Sequence, residues 1–219
     1  MARASKGQQD KEEQDRMISL QTILGPGRSS LPGLLGYGNH VGIAADIRTR
    51  WGDEVGYLAL ARRTRNPSLV QIELQATRDP NLTTRMLTLL SAIRSWVVTH
   101  RELEEIWPSQ TVVYVGSKRW NPQVEIREFN LRYSHGFVDA REIDPEPLLD
   151  SDNLGDVAFA VLCRDGTRSG VRKALDRIAA APATERTKAL ATLSRLSDLR
   201  CAGERVRSKI EKMGFATPA

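Results

Sequence analysis

The sequence predicts an α/β fold, with a mixed sheet over the first two thirds of the chain and a small helical bundle after it. Three observations carry this. The runs 54–61 and 68–75 read as strands separated by a turn at Asn66-Pro67. Apolar residues then recur at helical spacing from Leu82 to about His100, and the short apolar run Thr111–Gly116 returns to the pattern of a buried strand. From Pro147 the spacing is helical almost to the end of the chain.

Residues 1–16 are charged and rich in Gln, which predicts a frayed or disordered start. The apolar stretch 17–24 reads as a short helix or strand, and 25–38, dense in Gly and Pro, as loop. Residues 41–49 read as a first strand, with 54–61 and 68–75 as the second and third. Asp79-Pro80-Asn81 breaks the third strand, and Asn81 or Thr83 is placed to cap the helix that follows. Leu82, Met86, Leu89, Leu90, Ile93, Trp96 and Val97 form its apolar stripe, and Pro108 ends what remains of it. After the strand at 111–116, residues 123–133 alternate apolar and polar and read as one solvent-facing strand, with Phe137–Ile143 as its expected partner. Four helices follow, at 147–164, about 168–181, about 184–200 and 202–213, the last stopping at Gly214. The domains so defined are the N-terminus 1–16, an α/β core 17–146 and a C-terminal helical part 147–215.

The chain has 219 residues and a formal net charge of +5, all of it in the C-terminal third. Residues 1–150 hold 19 Lys and Arg against 19 Asp and Glu, whereas residues 151–219 hold 13 against 8. No run is long enough to span a bilayer, and the polar N-terminus lacks the apolar centre of a secretory signal, so a cytoplasmic protein with no membrane partner is expected. Cys163 and Cys201 lack metal-ligand spacing and read as reduced thiols. His40, His100 and His135 have neither mutual spacing nor cysteine partners, which argues against zinc. Gly25-Pro26-Gly27-Arg28-Ser29-Ser30 lacks the Gly-Lys-Ser/Thr ending of a phosphate loop, and no Gly-x-Ser-x-Gly elbow occurs.

The chemistry points to Asp53 and to the end of the third strand. Side chains alternate along a strand, so Glu73 and Gln75 share one face. If the second and third strands form a hairpin, Asp53 comes close to both, and two carboxylates converging at a sheet end make a hard-oxygen site suited to Mg²⁺ or Mn²⁺. Arg85 has two readings, a salt bridge to Glu73 or a contact to a scissile phosphate. Lys118 and Arg119 lie in a loop at a strand end, within reach of a phosphate or simply solvated. Trp51, Trp96 and Trp120 read as packing residues. In the C-terminal part, Arg172, Lys173, Arg177, Arg205 and Lys209 are expected to gather on the polar side of the helices and meet a phosphate backbone, with a solvated helix surface as the alternative.

These motifs, in their order, resemble the bacterial recombination-promoting nuclease and putative transposase family of the PD-(D/E)XK superfamily. The resemblance rests on Arg50-Trp51-Gly52-Asp53, Ile72-Glu73-Leu74-Gln75, Arg85-Met86-Leu87, Val112 to Gly116 with Trp120, and Phe137–Ile143 followed by Glu146-Pro147-Leu148-Leu149. It covers roughly residues 45–200. It implies a restriction-endonuclease-like sheet and Mg²⁺- or Mn²⁺-dependent cleavage of DNA, with Asp53 and Glu73 as metal ligands and Gln75 positioning the water. Gln75 stands where the superfamily usually has lysine, and a neutral amide can orient water only by hydrogen bonding. The segment ahead of the first strand is compressed and Gly-rich relative to that family, and Leu89 and Leu90 occupy the stretch where a tyrosine is expected. The alternatives are an inactive DNA-binding protein of the same fold and a protein-interaction module built on the C-terminal helices. Homo-oligomerisation is left open.

Overall fold

A computed structural model describes residues 29–37, 41–42, 57–62, 67–98, 107–164, 168–200 and 202–215. Its centre is a five-stranded mixed sheet in the order β1-β2-β3-β4-β7. The strands are β1 (Val41–Gly42), β2 (Tyr57–Arg62), β3 (Pro67–Gln75), β4 (Pro108–Tyr114) and β7 (Gly136–Asp139). β1 pairs with β2 and β2 with β3 in antiparallel fashion, whereas β3, β4 and β7 run parallel. The crossover from β3 to β4 is α2 (Leu82–Val98), which buries Leu82, Met86, Leu89, Ile93 and Val97 along one stripe and leaves the opposite side polar.

β3 is the pivot. Residues 69–75 are buried on both faces, and the alternation sorts them. Val70, Ile72 and Leu74 join Val113 and Val115 in the large core beneath the sheet. That core continues into α4 (Leu154–Phe159), α5 (Arg168–Ala179), α6 (Ala183–Asp198) and α7 (Gly203–Lys212). The helices beyond residue 146 therefore cover one face of the sheet and share its core. A smaller core on the opposite face joins Leu82, Met86 and Leu89 of α2 to Val112 and Tyr133, with Trp120 and Phe137 against it.

Several elements differ from the sequence expectation. Within the Gly- and Pro-rich stretch 25–38, expected to be loop, Leu31–Leu34 forms one helical turn, α1, with Pro32 in its first positions and Leu31 fully buried. Residues 123–133 are not one strand. β5 (Glu125–Glu128) turns at Phe129-Asn130 and pairs with β6 (Leu131–Ser134) as a two-stranded hairpin outside the main sheet. Phe129 takes a φ of 45°, the left-handed conformation that usually calls for Gly or Asn. The following strand, β7, does not pair with this hairpin but lies parallel to β4, with Val112 beside Phe137 and Tyr114 beside Asp139. The single helix expected at 147–164 is two short ones, α3 (Glu146–Leu149) and α4. Between them Asn153 accepts from the Gly155 amide and so starts a new helix, while the Ser151 hydroxyl accepts from the Asn153 amide.

The expected first strand at 41–49 is described only at β1. The stretch 17–24 lies outside the described residues, as does Cys201. No described helix is long and apolar enough to cross a membrane.

Candidate functional site

Alternation along β3 turns Gln71, Glu73 and Gln75 toward α2. Three polar side chains on the middle strand of a sheet must find partners there, since an unmatched buried polar group costs about 1–3 kcal/mol. Arg85, one turn into α2, supplies much of the match. Its Nη1 donates to Glu73 Oε1, its Nη2 donates to Gln75 Oε1 at 2.9 Å, and its Nε donates to Asp79 Oδ2 at 2.9 Å. The guanidinium fork thus joins a strand carboxylate, a strand amide and a loop carboxylate. The Arg85 side chain is 17% exposed and that of Glu73 10%, so the ion pair is largely shielded from water.

The loop before α2 is shaped to present Asp79. Its Oδ1 accepts from the Asn81 amide at 2.8 Å, closing an Asx turn, while Oδ2 meets Arg85. Gln75 is fixed at both ends of its amide, because its Nε2 donates to the Thr77 carbonyl at 2.8 Å. Thr83 does not cap the helix through its side chain. Its hydroxyl is buried against the sheet side and donates to the Gln123 carbonyl.

Deeper along the same face the polar layer continues. Gln110 sits beside Gln71 in register, donates to Gln71 Oε1 and to the Met86 carbonyl at 3.0 Å, and accepts from the Tyr133 hydroxyl at 2.7 Å. Burial, and after it the Glu73 charge, pushes the Tyr133 phenol well above its ordinary range, so it stays protonated. His135 Nδ1 lies 3.0 Å from the Gly136 carbonyl, an acceptor only, so this nitrogen carries the proton. Burial lowers the His135 pKa, the Arg85 charge lowers it further, and the Gly136 contact opposes both. The imidazole is therefore neutral at neutral pH.

A second polar group stands two strands away on the same face. Gln75, Tyr114 and Asp139 are in register across β3, β4 and β7 at the carboxyl ends of the three parallel strands. Arg141 clamps Asp139 with two donors, Nε to Oδ1 at 2.8 Å and Nη2 to Oδ2. Arg200 lies 4.0 Å from Asp139 Oδ1 and anchors itself on the carbonyls of Val115 and Leu162 at 2.9 and 3.0 Å. Burial alone would raise the Asp139 pKa, but the hydrogen bonds and charge of Arg141, with the charge of Arg200, outweigh it and hold the carboxylate ionised.

Glu73, Asp79 and the Gln75 side-chain amide oxygen are hard donors of the kind Mg²⁺ and Mn²⁺ take. They converge on the Arg85 guanidinium, so the donor set suits a divalent ion in its chemistry while the charge is balanced by arginine. No group of three His, Cys, Asp or Glu placed to hold a metal occurs among the described residues. Asp53, the other expected ligand, lies outside them. The structure brings Glu73, Gln75 and Arg85 together, in the salt-bridge arrangement for Arg85.

The remaining sequence candidates are elsewhere. Lys118 and Arg119 are exposed on the loop after β4. On α5, Arg172 approaches Asp176 at 4.0 Å, Lys173 pairs with Glu146 at 2.6 Å, and Arg177 donates to the Ser151 carbonyl at 2.9 Å. Arg205 and Lys209 are on α7, and both helices pack against α6. Sequence reasoning did not single out Asp79, Gln110 or Tyr133, and weighed His135 only as a zinc ligand. The first stood in a segment read only as a strand breaker, and Gln110 directly precedes the apolar run that marks β4. Nothing in the sequence ties Tyr133 and His135 to Glu73.

No family model matches the sequence, and neither a curated protein nor a solved structure matches it.

Proposed function

We propose that the chain is a metal-dependent DNA endonuclease related to the PD-(D/E)XK proteins. The observation that carries the reading is Glu73 and Gln75 side by side at the carboxyl end of β3, in a sheet where β2 is antiparallel and β4 parallel to β3. That arrangement agrees with the order of strands and the acidic-x-Gln motif on which the resemblance rests. β2 begins at Tyr57, which pairs with Ile72, the residue before Glu73.

Under this reading Glu73 and Asp53 hold the ion, whose bound form supplies charge neutralisation at a phosphate and a more acidic water. Gln75 orients the water by hydrogen bonding, and Arg85 exchanges its carboxylate partner for phosphate oxygens, which guanidinium matches in geometry.

A second reading is favoured by one specific observation. Arg85 engages Glu73 and Gln75 together and balances the Glu73 charge without a metal. A protein of this kind binds DNA and does not cut it. Plasmid nicking with Mg²⁺ or Mn²⁺, with and without EDTA, separates the two. The endonuclease reading expects chelator-sensitive nicking that Glu73→Ala abolishes while the thermal melt stays cooperative. Equal nicking by wild type and Glu73→Ala removes Glu73 from the reaction. DNA binding by both without nicking establishes the second reading.

A further inference from the structure

Beside Asp139 the molecule has an open cleft of about 490 Å³ that the proposed hydrolytic site does not use. Its walls are Arg119, Trp120 and Asn121 from the loop after β4, and Phe137, Asp139, Arg141 and Glu142 from β7 and the turn beyond it. The cleft lies at the carboxyl ends of the parallel strands, where open α/β sheets place their ligands.

The aromatic wall is held rigidly. Trp120 meets the Tyr114 ring at 5.2 Å between centroids and the Phe137 ring at 5.6 Å, both edge-on, and Tyr114 stacks on Phe137 at 6.1 Å. Trp120 is only half-buried and lines the cleft. Its loop is tied down by Arg78, whose Nη2 donates to the Arg119 carbonyl at 2.6 Å. Asp139 is already matched by Arg141 and Arg200, so it does not oppose an anion as an isolated carboxylate would, and the other carboxylate of the cleft, Glu142, is exposed, where water and salt screen its charge. Arg119 is exposed at the rim. An indole wall with a guanidinium beside it is the chemistry that takes an aromatic base and its phosphate. Strands lie about 4.8 Å apart, so the Asp139 position is roughly 10 Å from Gln75 across β4, within the reach of neighbouring nucleotides on one strand.

We propose that this cleft receives one unstacked nucleotide of a single-stranded or locally opened DNA, its base against Trp120 and its phosphate toward Arg119. The inference rests on the DNA reading above and names the form of DNA that the site engages. Sequence reasoning gave Trp120 a packing role. In the structure it packs against Tyr114 and Phe137 and also lines the cleft.

The test uses the full chain in EDTA, so that binding is read apart from cleavage. Two fluorescein-labelled probes are compared by anisotropy, a twelve-residue oligothymidylate and the same backbone with abasic sites. Trp120→Leu should weaken binding of the intact probe roughly five- to a hundredfold, the range that one lost base stack implies, and leave the abasic probe unchanged. Arg119→Glu, an exposed position, should weaken both probes and lower the salt slope by about one or more. Should Trp120→Leu fail to melt cooperatively, Arg119→Glu carries the test alone. Intact and abasic probes that respond alike to Trp120→Leu, or binding indifferent to Arg119→Glu, would overturn the proposal. Nicking that depends on Glu73 with binding indifferent to Trp120 and Arg119 removes the cleft and leaves the hydrolytic reading. Stack-dependent binding without nicking does the reverse.

Discussion

Asp156 offers the sharpest test of how the fold is held. It has no solvent exposure and no cationic partner among the described residues, yet it accepts three hydrogen bonds. The Ser29 hydroxyl and the Ser30 amide each donate to it at 2.6 Å, and the Ser151 hydroxyl donates at 2.8 Å. The two serines ahead of α1 are thereby fastened to α4 across 127 residues of chain. Asp156→Ala removes the acceptor from all three donors. Ser29 and Ser30 are half-buried and regain water, a net loss of about 0.5–1.5 kcal/mol each. Ser151 is buried, and a stranded hydroxyl there costs about 1–3 kcal/mol. Relief of the carboxylate's own desolvation offsets part of this. We expect a net loss of about 3 kcal/mol, which for a chain of this size lowers Tm by roughly 6–12 °C. Asp156→Asn keeps the shape, its oxygen can still accept from the Ser30 amide and the Ser151 hydroxyl, and its amide can donate to the Ser29 hydroxyl, so it should lose about 1 kcal/mol or less.

The pH dependence adds an independent check. Burial raises the folded-state pKa of Asp156, against the opposing hydrogen bonds from Ser29, Ser30 and Ser151. The folded state then holds this proton more tightly than the unfolded chain. The stabilisation from protonation is complete below the ordinary carboxylate pKa of about 4 and is lost as pH rises through the raised folded value. Acidifying from neutral toward that range should therefore shift the stability difference in favour of wild type over Asp156→Asn, read by urea denaturation at each pH. A difference that moves the other way would show that the three donors stabilise the anion more than burial penalises it. Asp156→Ala within 1 kcal/mol of wild type would refute the fastening itself.

Three further outcomes follow from single positions. Arg85→Met should destabilise by about 2–4 kcal/mol in urea denaturation, because it takes the guanidinium from a shielded carboxylate and from the Gln75 amide together. Phe129→Gly should raise stability by about 1 kcal/mol in thermal melts, since the ring is fully exposed and the residue holds a φ of 45° that Gly adopts freely. Cys163 is buried and its thiol is pushed up to about 12 by burial, so in a Cys201→Ser background a thiol reagent should label it at neutral pH only as the protein unfolds.

The parts of the molecule legible in the sequence are those specified by local periodicity. The two-residue alternation of Val70–Gln75 places Glu73 and Gln75 on one face, and the stripe from Leu82 to Val97 defines α2, because each pattern is set by residues a turn or a pleat apart. What was lost depends on contacts distant in the chain or on local rules overridden by tertiary structure. The β5–β6 turn was invisible because Phe129 occupies a conformation normally signalled by Gly or Asn. β7 was assigned the wrong neighbour because its parallel partner, β4, is chosen by the core, where Phe137 sits beside Val112 and against Trp120.

The same division explains why the candidate site was only half readable. Glu73 and Gln75 belong to one strand, but what they can do is set by Arg85 on the next helix and Asp79 on the loop between. A carboxylate in the middle of a sheet needs a cation, and sequence leaves open whether that cation is a metal or an arginine. The structure puts arginine there. If the protein hydrolyses DNA, the energetic requirement is then specific: binding of the ion and the phosphate must together exceed the Arg85–Glu73 ion pair they replace. Because guanidinium matches phosphate as well as carboxylate, the substrate itself supplies the alternative partner, and metal affinity measured without DNA should be weaker than with it. Calorimetric titration of Mn²⁺ into the protein, alone and with an uncleavable phosphorothioate oligonucleotide, reads this coupling. Equal affinity in the two titrations would show that Arg85 does not gate the site.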